Sequence, residues 1–295
     1  MDKHDLYEQC VQSPGHLVPM LRAIHGGGPA VLGEDFAGTA ALGYLWADAR
    51  PDNHAIAVDL DESALTRRPE HARVVRILGD VRSATTPTEH ACDVLFVGNF
   101  SIGYLHTRSE LVAYLRHAHA RLTPGGVFVC DTYGGESAFL TGHVHRDHFA
   151  DDGRRIRYTW EQRDANPLTG MVTDVLHFQV DRAGVVELEL PDAFIYRWRL
   201  WSVPELADAV WGGVAARTGF AEGDLDGQVA QFDGVPLGDP GRRRCVLSGV
   251  DGVEVGAQEE AQLFFTRRSG LDADARAVPI YGGLKAYGRE GPVSF

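Results

Sequence analysis

The chain has 295 residues, of which 44% are hydrophobic and 23% charged, as expected for a globular protein with one large domain or one domain carrying an insertion. Its formal net charge of -13 disfavours a nucleic-acid partner, because an acidic surface repels phosphate. The sequence has no apolar run of the ~18 residues that a membrane span needs, and its start lacks the apolar segment of a signal peptide. We therefore expect a cytoplasmic protein with no membrane partner. Because Cys10, Cys92, Cys130 and Cys245 form no C-x-x-C pair, we expect no Cys-based zinc site.

Residues 30–135 alternate between short apolar runs and helical patterns, which predicts βαβ units and a parallel sheet. Helices are predicted over 39–50 and 107–122, and glycine- or proline-containing turns separate the elements. The five predicted strands cover residues 30–38, 54–61, 74–82, 92–100 and 126–133.

After Gly135 the pattern changes to an alternation of apolar and polar residues, which indicates antiparallel strands. Residues 156–163 and 171–180 flank the turn-forming segment D-A-N-P-L-T-G and predict a hairpin. The remaining predicted elements are strands at 185–190 and 193–201, a helix at 203–220 with Ser202 as its N-cap, and a late strand at 262–268.

Polar residues follow the predicted parallel strands, where an open sheet of this kind binds its ligands. The first strand ends in E-D-F-A-G-T-A (34–40), whose small residues allow close approach of a ligand. Asp59 ends the second strand and can accept hydrogen bonds from ribose hydroxyls, and Asp80 ends the third and can accept one from an adenine amino group. Acids in the first turn repel a pyrophosphate and attract a sulfonium, so the pattern disfavours a dinucleotide cofactor.

These motifs resemble those of the class I S-adenosylmethionine-dependent methyltransferases, over roughly residues 28–135 plus the later helix and strand. The resemblance implies an α/β, Rossmann-like fold: a mostly parallel seven-stranded sheet flanked by helices, with an antiparallel β insertion covering the acceptor site. It implies S-adenosylmethionine as the cofactor and S-adenosylhomocysteine as the product. Either Glu34 or Asp35 is expected to meet the amino group of the cofactor. The expected cofactor-binding residues are Tyr7, Glu34, Asp35, Phe36, Ala37, Gly38, Asp59, Leu60, Gly79, Asp80, Val81, Asn99 and Phe100.

On this basis four regions are expected along the chain. Residues 1–29 would form an N-terminal helical lid, and residues 30–135 the cofactor-binding core. Residues 136–200 would form the antiparallel insertion on the acceptor side, and residues 201–295 the rest of the core sheet and a tail.

The segment N-F-S-I-G-Y-L-H-T-R-S-E-L (99–111) and the strand after it are similar to small-molecule N-methyltransferases, including those that act on nucleotide-linked amino sugars. We therefore predict methyl transfer to a nitrogen or oxygen of a small molecule. A positioned tyrosine or histidine would take the proton from the acceptor, and the candidates are Tyr133, His177 and His106. Exposed strands in the insertion could pair between subunits of a homo-oligomer.

The segment T-G-H-V-H-R-D-H-F (141–149) offers a competing interpretation, since its H-x-H-x-D-H spacing resembles that of the metallo-β-lactamase-like hydrolases. There His143, His145, Asp147 and His148 would bind zinc. Such a site needs later histidines, but His177 is the last of the 13 in the chain. We therefore rank the hydrolase last and expect no bound metal. A non-catalytic S-adenosylmethionine-binding protein and a nucleic-acid methyltransferase stay open as further alternatives.

Overall fold

The computed structural model describes residues 1–12, 14–134, 138–218, 244–251, 289–290 and 293–294. Its helices are α1 Lys3–Cys10, α2 Pro14–His25, α3 Ala41–Asp48, α4 Glu62–Leu65, α5 Arg108–Arg121 and α6 Val203–Thr218. Its strands are β1 Val31–Asp35, β2 His54–Asp59, β3 Val74–Leu78, β4 Cys92–Val97, β5 Leu122–Gly134, β6 Gly142–Phe149, β7 Arg155–Asn166, β8 Met171–Arg182, β9 Val185–Arg199, β10 Arg244–Asp251, β11 Arg289–Glu290 and β12 Val293–Ser294. None of the described helices is long and apolar enough to cross a membrane.

The larger sheet contains six strands in the order β10-β5-β4-β1-β2-β3, and every neighbouring pair is parallel. All five strands predicted between residues 30 and 135 are present, and the order reverses between β1 and β4. The sixth strand, β10, was not predicted. The strand predicted at 262–268 lies outside the described residues, so a seventh strand stays a prediction.

Helices pack on both faces of this sheet. On one face, α2 and α3 bury Leu21 and Trp46, and the Trp46 indole N–H donates to the Ala30 carbonyl oxygen at 3.0 Å. On the other face, α5 and α6 bury Leu111 and Leu206 against the strands. Packing on both faces therefore holds the strands in place. The polar residues singled out in the sequence lie at the carboxyl ends of these strands.

The smaller sheet is antiparallel, with the order β6-β7-β8-β9. The predicted hairpin is formed by β7 and β8. The prediction of two separate strands at 185–190 and 193–201 is wrong, since both belong to β9. Pro191 suggested a break because proline has no N–H to donate to a ladder. Here β9 is an edge strand and its pairing with β8 is irregular opposite His177, so the missing N–H is tolerated.

Apolar contacts join the smaller sheet to α1 and to β5. Leu6 of α1 is fully buried among apolar side chains of β7 and β8, such as Tyr158 and Phe178. Tyr133 of β5 packs against Trp198 of β9. The smaller sheet therefore lies against α1 and beside the carboxyl end of β5.

A buried ion pair stabilises the larger sheet next to the first strand end. Both side chains of Asp35 and Arg121 are fully buried, with Nη1 of Arg121 2.8 Å from Oδ1 of Asp35. The Tyr114 hydroxyl donates to the other Asp35 oxygen at 2.8 Å. Because both charges are away from water, loss of one partner leaves the other uncompensated.

We predict that Asp35→Asn lowers the free energy of unfolding by about 3–5 kcal/mol, as for other buried pairs that lose one partner. The measurement is urea unfolding followed by circular dichroism. Asp208→Asn is the control, because Asp208 forms an exposed pair with Arg108, and such pairs contribute about 0–1 kcal/mol. Equal effects of the two substitutions would contradict the buried-pair account.

Candidate cofactor and acceptor site

The turn after β1 has an unusual backbone. Phe36 and Ala40 are non-glycine residues with φ of 58° and 57°, and Gly38 has φ of 55°. The turn is held by Ala37, whose N–H donates to the Val58 carbonyl oxygen at 3.0 Å. Left-handed backbone outside glycine costs energy and is concentrated at functional sites.

Glu34 and Asp35, the two acids between which the sequence left the choice open, have different environments. The Asp35 carboxylate is committed to Arg121 and Tyr114 in the core. Among the described residues the Glu34 carboxylate has no cationic partner at hydrogen-bond distance; it accepts from the Gly43 N–H at 2.9 Å, and Arg68 acts on it only through its charge. Burial raises the pKa of Glu34 to about 8, the Gly43 N–H lowers it, and nearby Asp59 raises it further. Of the two acids, Glu34 is therefore the one available to a cationic ligand.

The Asp59 carboxylate connects the first two strand ends. Its Oδ2 accepts from the Gly38 N–H at 2.6 Å, and its Oδ1 accepts from the Asp61 N–H at 2.8 Å. The next residue, Leu60, keeps 69% of its side chain exposed. Each Asp59 oxygen still has a lone pair for a ligand hydroxyl.

At the end of the third strand, Asp80 is paired with an arginine. The Asp80 carboxylate accepts from the Arg82 backbone N–H at 2.8 Å and from the Arg82 guanidinium at 2.5 Å, and this pairing lowers its pKa. Gly79 is required by packing, since a Cβ there would lie 2.7 Å from the Ala84 Cβ. The Val81 side chain is buried in the core, so only its backbone is available to a ligand.

The loop after β4 depends on an acid that the sequence reasoning missed. Asn99 and Phe100 have φ of 55° and 60°, and their N–H groups donate to the Asp131 carboxylate at 2.9 and 2.7 Å. Burial raises the pKa of Asp131 to about 6. The signal was present in V-C-D-T-Y, because an acid at the end of the fifth strand continues the pattern of the other strand ends.

Helix α1 is attached directly to these loops. Glu8 accepts a hydrogen bond from the Thr39 hydroxyl and pairs with Arg68 at 2.6 Å. Arg67 pairs with Asp2 at 2.5 Å and with Asp5. The helix therefore lies over the turn after β1, as a lid would.

A group of aromatic side chains from β7, β9, β5 and the loop after β4 lies beside these strand ends. Tyr196 and Trp198 stack at 4.4 Å between ring centroids, Tyr104 lies 6.4 Å from Tyr196, and Phe36 stacks on Tyr104 at 5.8 Å. Tyr7 of α1 shares a hydrogen bond with Tyr196, and burial raises its pKa. We define the aromatic wall as Phe100, Tyr104, Tyr133, Trp160, Tyr196 and Trp198.

The three predicted proton acceptors are not brought together. The Tyr133 hydroxyl lies within the wall but donates to Asp174 at 2.8 Å, and burial raises its pKa, which disfavours a tyrosinate base. His177 lies on the other face of the smaller sheet, where it contacts Glu161 at 2.9 Å. His106 is exposed and contacts the Arg197 carbonyl oxygen at 2.8 Å.

The H-x-H-x-D-H segment forms strand β6, so successive side chains point to opposite faces. His143, His145 and Asp147 share one face, while His148 lies on the other, and the four cannot converge on a metal. The Asp147 carboxylate is bound by Arg157 at 2.9 Å. Among the described residues the one group with metal-ligand spacing is Glu161, His177 and Asp192, and Arg163 already pairs with both of its acids.

Comparisons with known proteins agree with this architecture. No protein-family model and no curated protein sequence matches the chain. The fold is similar to the sugar N-methyltransferase KedS8 from Streptoalloteichus sp., with a TM-score of 0.55 and 19% identity, covering 71% of this chain and 83% of that one. It is also similar to S-adenosylmethionine-bound CalS10, an amino pentose methyltransferase from Micromonospora echinaspora, with a TM-score of 0.57, 19% identity and coverage of 71% and 86%.

A third similar structure is an S-adenosylmethionine-dependent methyltransferase from Clostridium acetobutylicum, with a TM-score of 0.53, 14% identity and coverage of 71% and 85%. Likeness at this level of identity defines the fold. The protein has the Rossmann-like fold of the class I methyltransferases, with an antiparallel β insertion. The fold class predicted from the sequence is confirmed.

The raised pKa of Glu34 should make the free energy of unfolding depend on pH. Its folded-state pKa of about 8 lies above its ordinary value of 4.5, so the folded protein holds the proton more tightly than the unfolded chain. The wild type should therefore lose stability as the pH rises from 4.5 towards 8. Glu34→Gln keeps the acceptor for the Gly43 N–H and removes the charge.

We expect Glu34→Gln to gain about 2–4 kcal/mol over the wild type between pH 5 and 8, since one pKa unit corresponds to about 1.4 kcal/mol. Urea unfolding across this range measures the difference. Glu62→Gln, at an exposed position of α4, controls for the loss of one negative charge at the surface. A stability difference that does not change with pH would show that Glu34 is ionised in the folded protein.

Proposed function

We propose that this protein binds S-adenosylmethionine and transfers its methyl group to a nitrogen or oxygen of a small-molecule acceptor. The observation that carries the proposal is that three acids, Glu34, Asp59 and Asp131, lie towards the carboxyl ends of β1, β2 and β5. Glu34 interacts electrostatically with Asp59, and Tyr7 of α1 interacts with both Asp59 and Asp131. The fold is one in which S-adenosylmethionine-dependent methyltransferases are built, and CalS10 and KedS8 act on sugars, which supports a small acceptor.

The residues present fit the cofactor in charge and in space. A sulfonium and an α-ammonium group are positive, and the acids at the strand ends provide a negative environment. Glu34 would receive the ammonium group, and Asp59 the ribose hydroxyls. Around Gly38 the backbone is open, since an added Cβ would meet nothing closer than the Gln12 side chain at 4.0 Å. When bound, the cofactor would supply an electrophilic methyl group.

The chain's own contribution is positioning. Methyl transfer from a sulfonium requires in-line approach of a deprotonated nucleophile, so alignment and exclusion of water supply most of the catalysis. Helix α1 would close the cofactor side, and the aromatic wall would hold the acceptor. His177 lies on the other face of the smaller sheet with Glu161, and His106 is exposed and bound to the Arg197 carbonyl oxygen, so neither is proposed as the base. Tyr133 is retained as a wall residue.

The alternative functions differ from methyl transfer to a small molecule in their products and in the charge of their partners. A binding-only protein would hold the same cofactor without forming S-adenosylhomocysteine. A nucleic-acid methyltransferase is disfavoured by the net charge of -13. A homo-oligomer stays a proposal, and β6 and β9, the edge strands of the antiparallel sheet, are where a second copy would add strands.

We predict that Asp59→Asn lowers the affinity for S-adenosylmethionine at least tenfold, because it removes an anion that faces the ribose and anchors the Gly38 turn. Isothermal titration calorimetry measures the affinity. Asp152→Asn is the matched control and should bind as the wild type does, since Asp152 lies on the exposed turn before β7 and pairs with Arg154 and Arg182. Equal affinities of wild type and Asp59→Asn would contradict the placement of the cofactor.

We also predict that at least one primary or secondary amine, or one hydroxyl compound, in a library of aminated sugars and small alcohols yields S-adenosylhomocysteine above background. Mass spectrometry of the product identifies the methylated atom. Binding of the cofactor without product from any member would favour the binding-only alternative.

A further inference from the structure

Asp174 is a buried acid for which the proposed function has so far given no role. It lies on β8, its side chain is fully buried, and it faces the larger sheet together with Leu176. Its Oδ2 accepts from the Tyr133 hydroxyl at 2.8 Å, and Trp160 also hydrogen-bonds to the carboxyl group. Among the described residues its Oδ1 has no hydrogen-bond partner.

Such an arrangement is costly for stability alone. A buried carboxyl group without a cation loses its hydration, and an unsatisfied oxygen adds to that cost. Asp181, at the other end of the same strand, shows the usual solution, because Arg155 pairs with it at 2.7 Å. The cost at Asp174 therefore points to a role in the site.

The position of Tyr133 indicates what that role is. Its ring lies 5.0 Å from Phe100, 6.0 Å from Trp160 and 6.4 Å from Trp198. Phe100 in turn belongs to the loop that Asp131 holds after β4. The hydrogen bond that Tyr133 donates to Asp174, shorter than its 3.4 Å contact with Gln162, thus holds the tyrosine that connects the insertion to the loop after β4.

We propose that Asp174 is a positioning residue, which acts through Tyr133 to hold the aromatic wall against the acceptor. This inference rests on the proposed function of the site. Asp174 does not touch the acceptor, because its side chain has no exposed surface. Its loss should impair alignment of the acceptor and leave cofactor binding intact.

The hydrogen bond should depend on pH. Burial raises the pKa of Asp174 to about 7, while the bonds from Tyr133 and Trp160 lower it. Tyr158 on β7 interacts electrostatically with Asp174, and Tyr196 on β9 is the cross-strand neighbour of Asp174; the pKa of both tyrosines is raised. As the pH rises through about 7 the carboxylate becomes the better acceptor, so the wall should become more ordered.

Two substitutions separate the hydrogen bond from the charge. Asp174→Leu removes both, and we expect at least a tenfold fall in kcat/KM with an unchanged affinity for S-adenosylmethionine. Asp174→Asn keeps an acceptor for the tyrosine, and should retain activity within about threefold while losing the pH dependence near 7. Tyr133→Phe should match Asp174→Leu, and the double variant should be no worse than either. Asp181→Asn is the control for a buried acid of β8.

A second measurement does not require activity. Trp160 is hydrogen-bonded to Asp174, so tryptophan fluorescence between pH 5.5 and 8.5 should show a transition near 7 in the wild type and in Asp181→Asn. Both Asp174 variants should lack it. Absence of the transition in the wild type would overturn the proposal, as would unchanged kcat/KM in Asp174→Leu or in Tyr133→Phe. If the wild type binds no S-adenosylmethionine, the proposed function fails, and the fluorescence transition alone decides on the link between Asp174 and Tyr133.

Discussion

The Asp59 carboxylate is the interaction on which the site depends. It accepts from the Gly38 N–H at one oxygen and from the Asp61 N–H at the other, so one side chain sets the turn after β1 and the start of α4. Helix α1 is attached to that turn through Thr39 and to the segment after α4 through Arg68. If this carboxylate were lost, the turn would lose a charge-assisted hydrogen bond, and α1 would lose part of the surface against which it packs.

The charge of the site is determined by which of its acids are paired with a cationic side chain. Asp35 has Arg121 and serves the core, whereas Glu34 accepts from the Gly43 N–H and Asp131 from the Asn99 and Phe100 N–H groups. Unpaired carboxyl groups at one edge of the sheet favour a cation and disfavour a phosphate. Under the proposed function, that selection is what the acids would contribute, rather than a dedicated proton acceptor.

The sequence predicted the parallel core well, because buried strands, turn residues and strand-end acids repeat in order from 30 to 135. It could not decide between Glu34 and Asp35, since adjacent residues of a strand face opposite sides and only packing shows which side holds Arg121. Pro191 suggested a break that an edge strand tolerates. The histidine spacing suggested a metal, but in strand β6 alternation separates His148 from His143 and His145. Asp174 carried no local signal, because its role depends on Tyr133, 41 residues earlier in the chain.

The most direct test of the account is calorimetric titration of the wild type with S-adenosylmethionine at pH 7 in buffers of different ionisation enthalpy. Because the pKa of Glu34 is raised to about 8 without a bound cation, binding of the cofactor should ionise this group and release a proton. The account predicts one cofactor per chain, with proton release that Glu34→Gln abolishes. Absence of binding, or binding whose proton release is the same in Glu34→Gln, would contradict the claim that acids without cationic partners at these strand ends select a cationic cofactor.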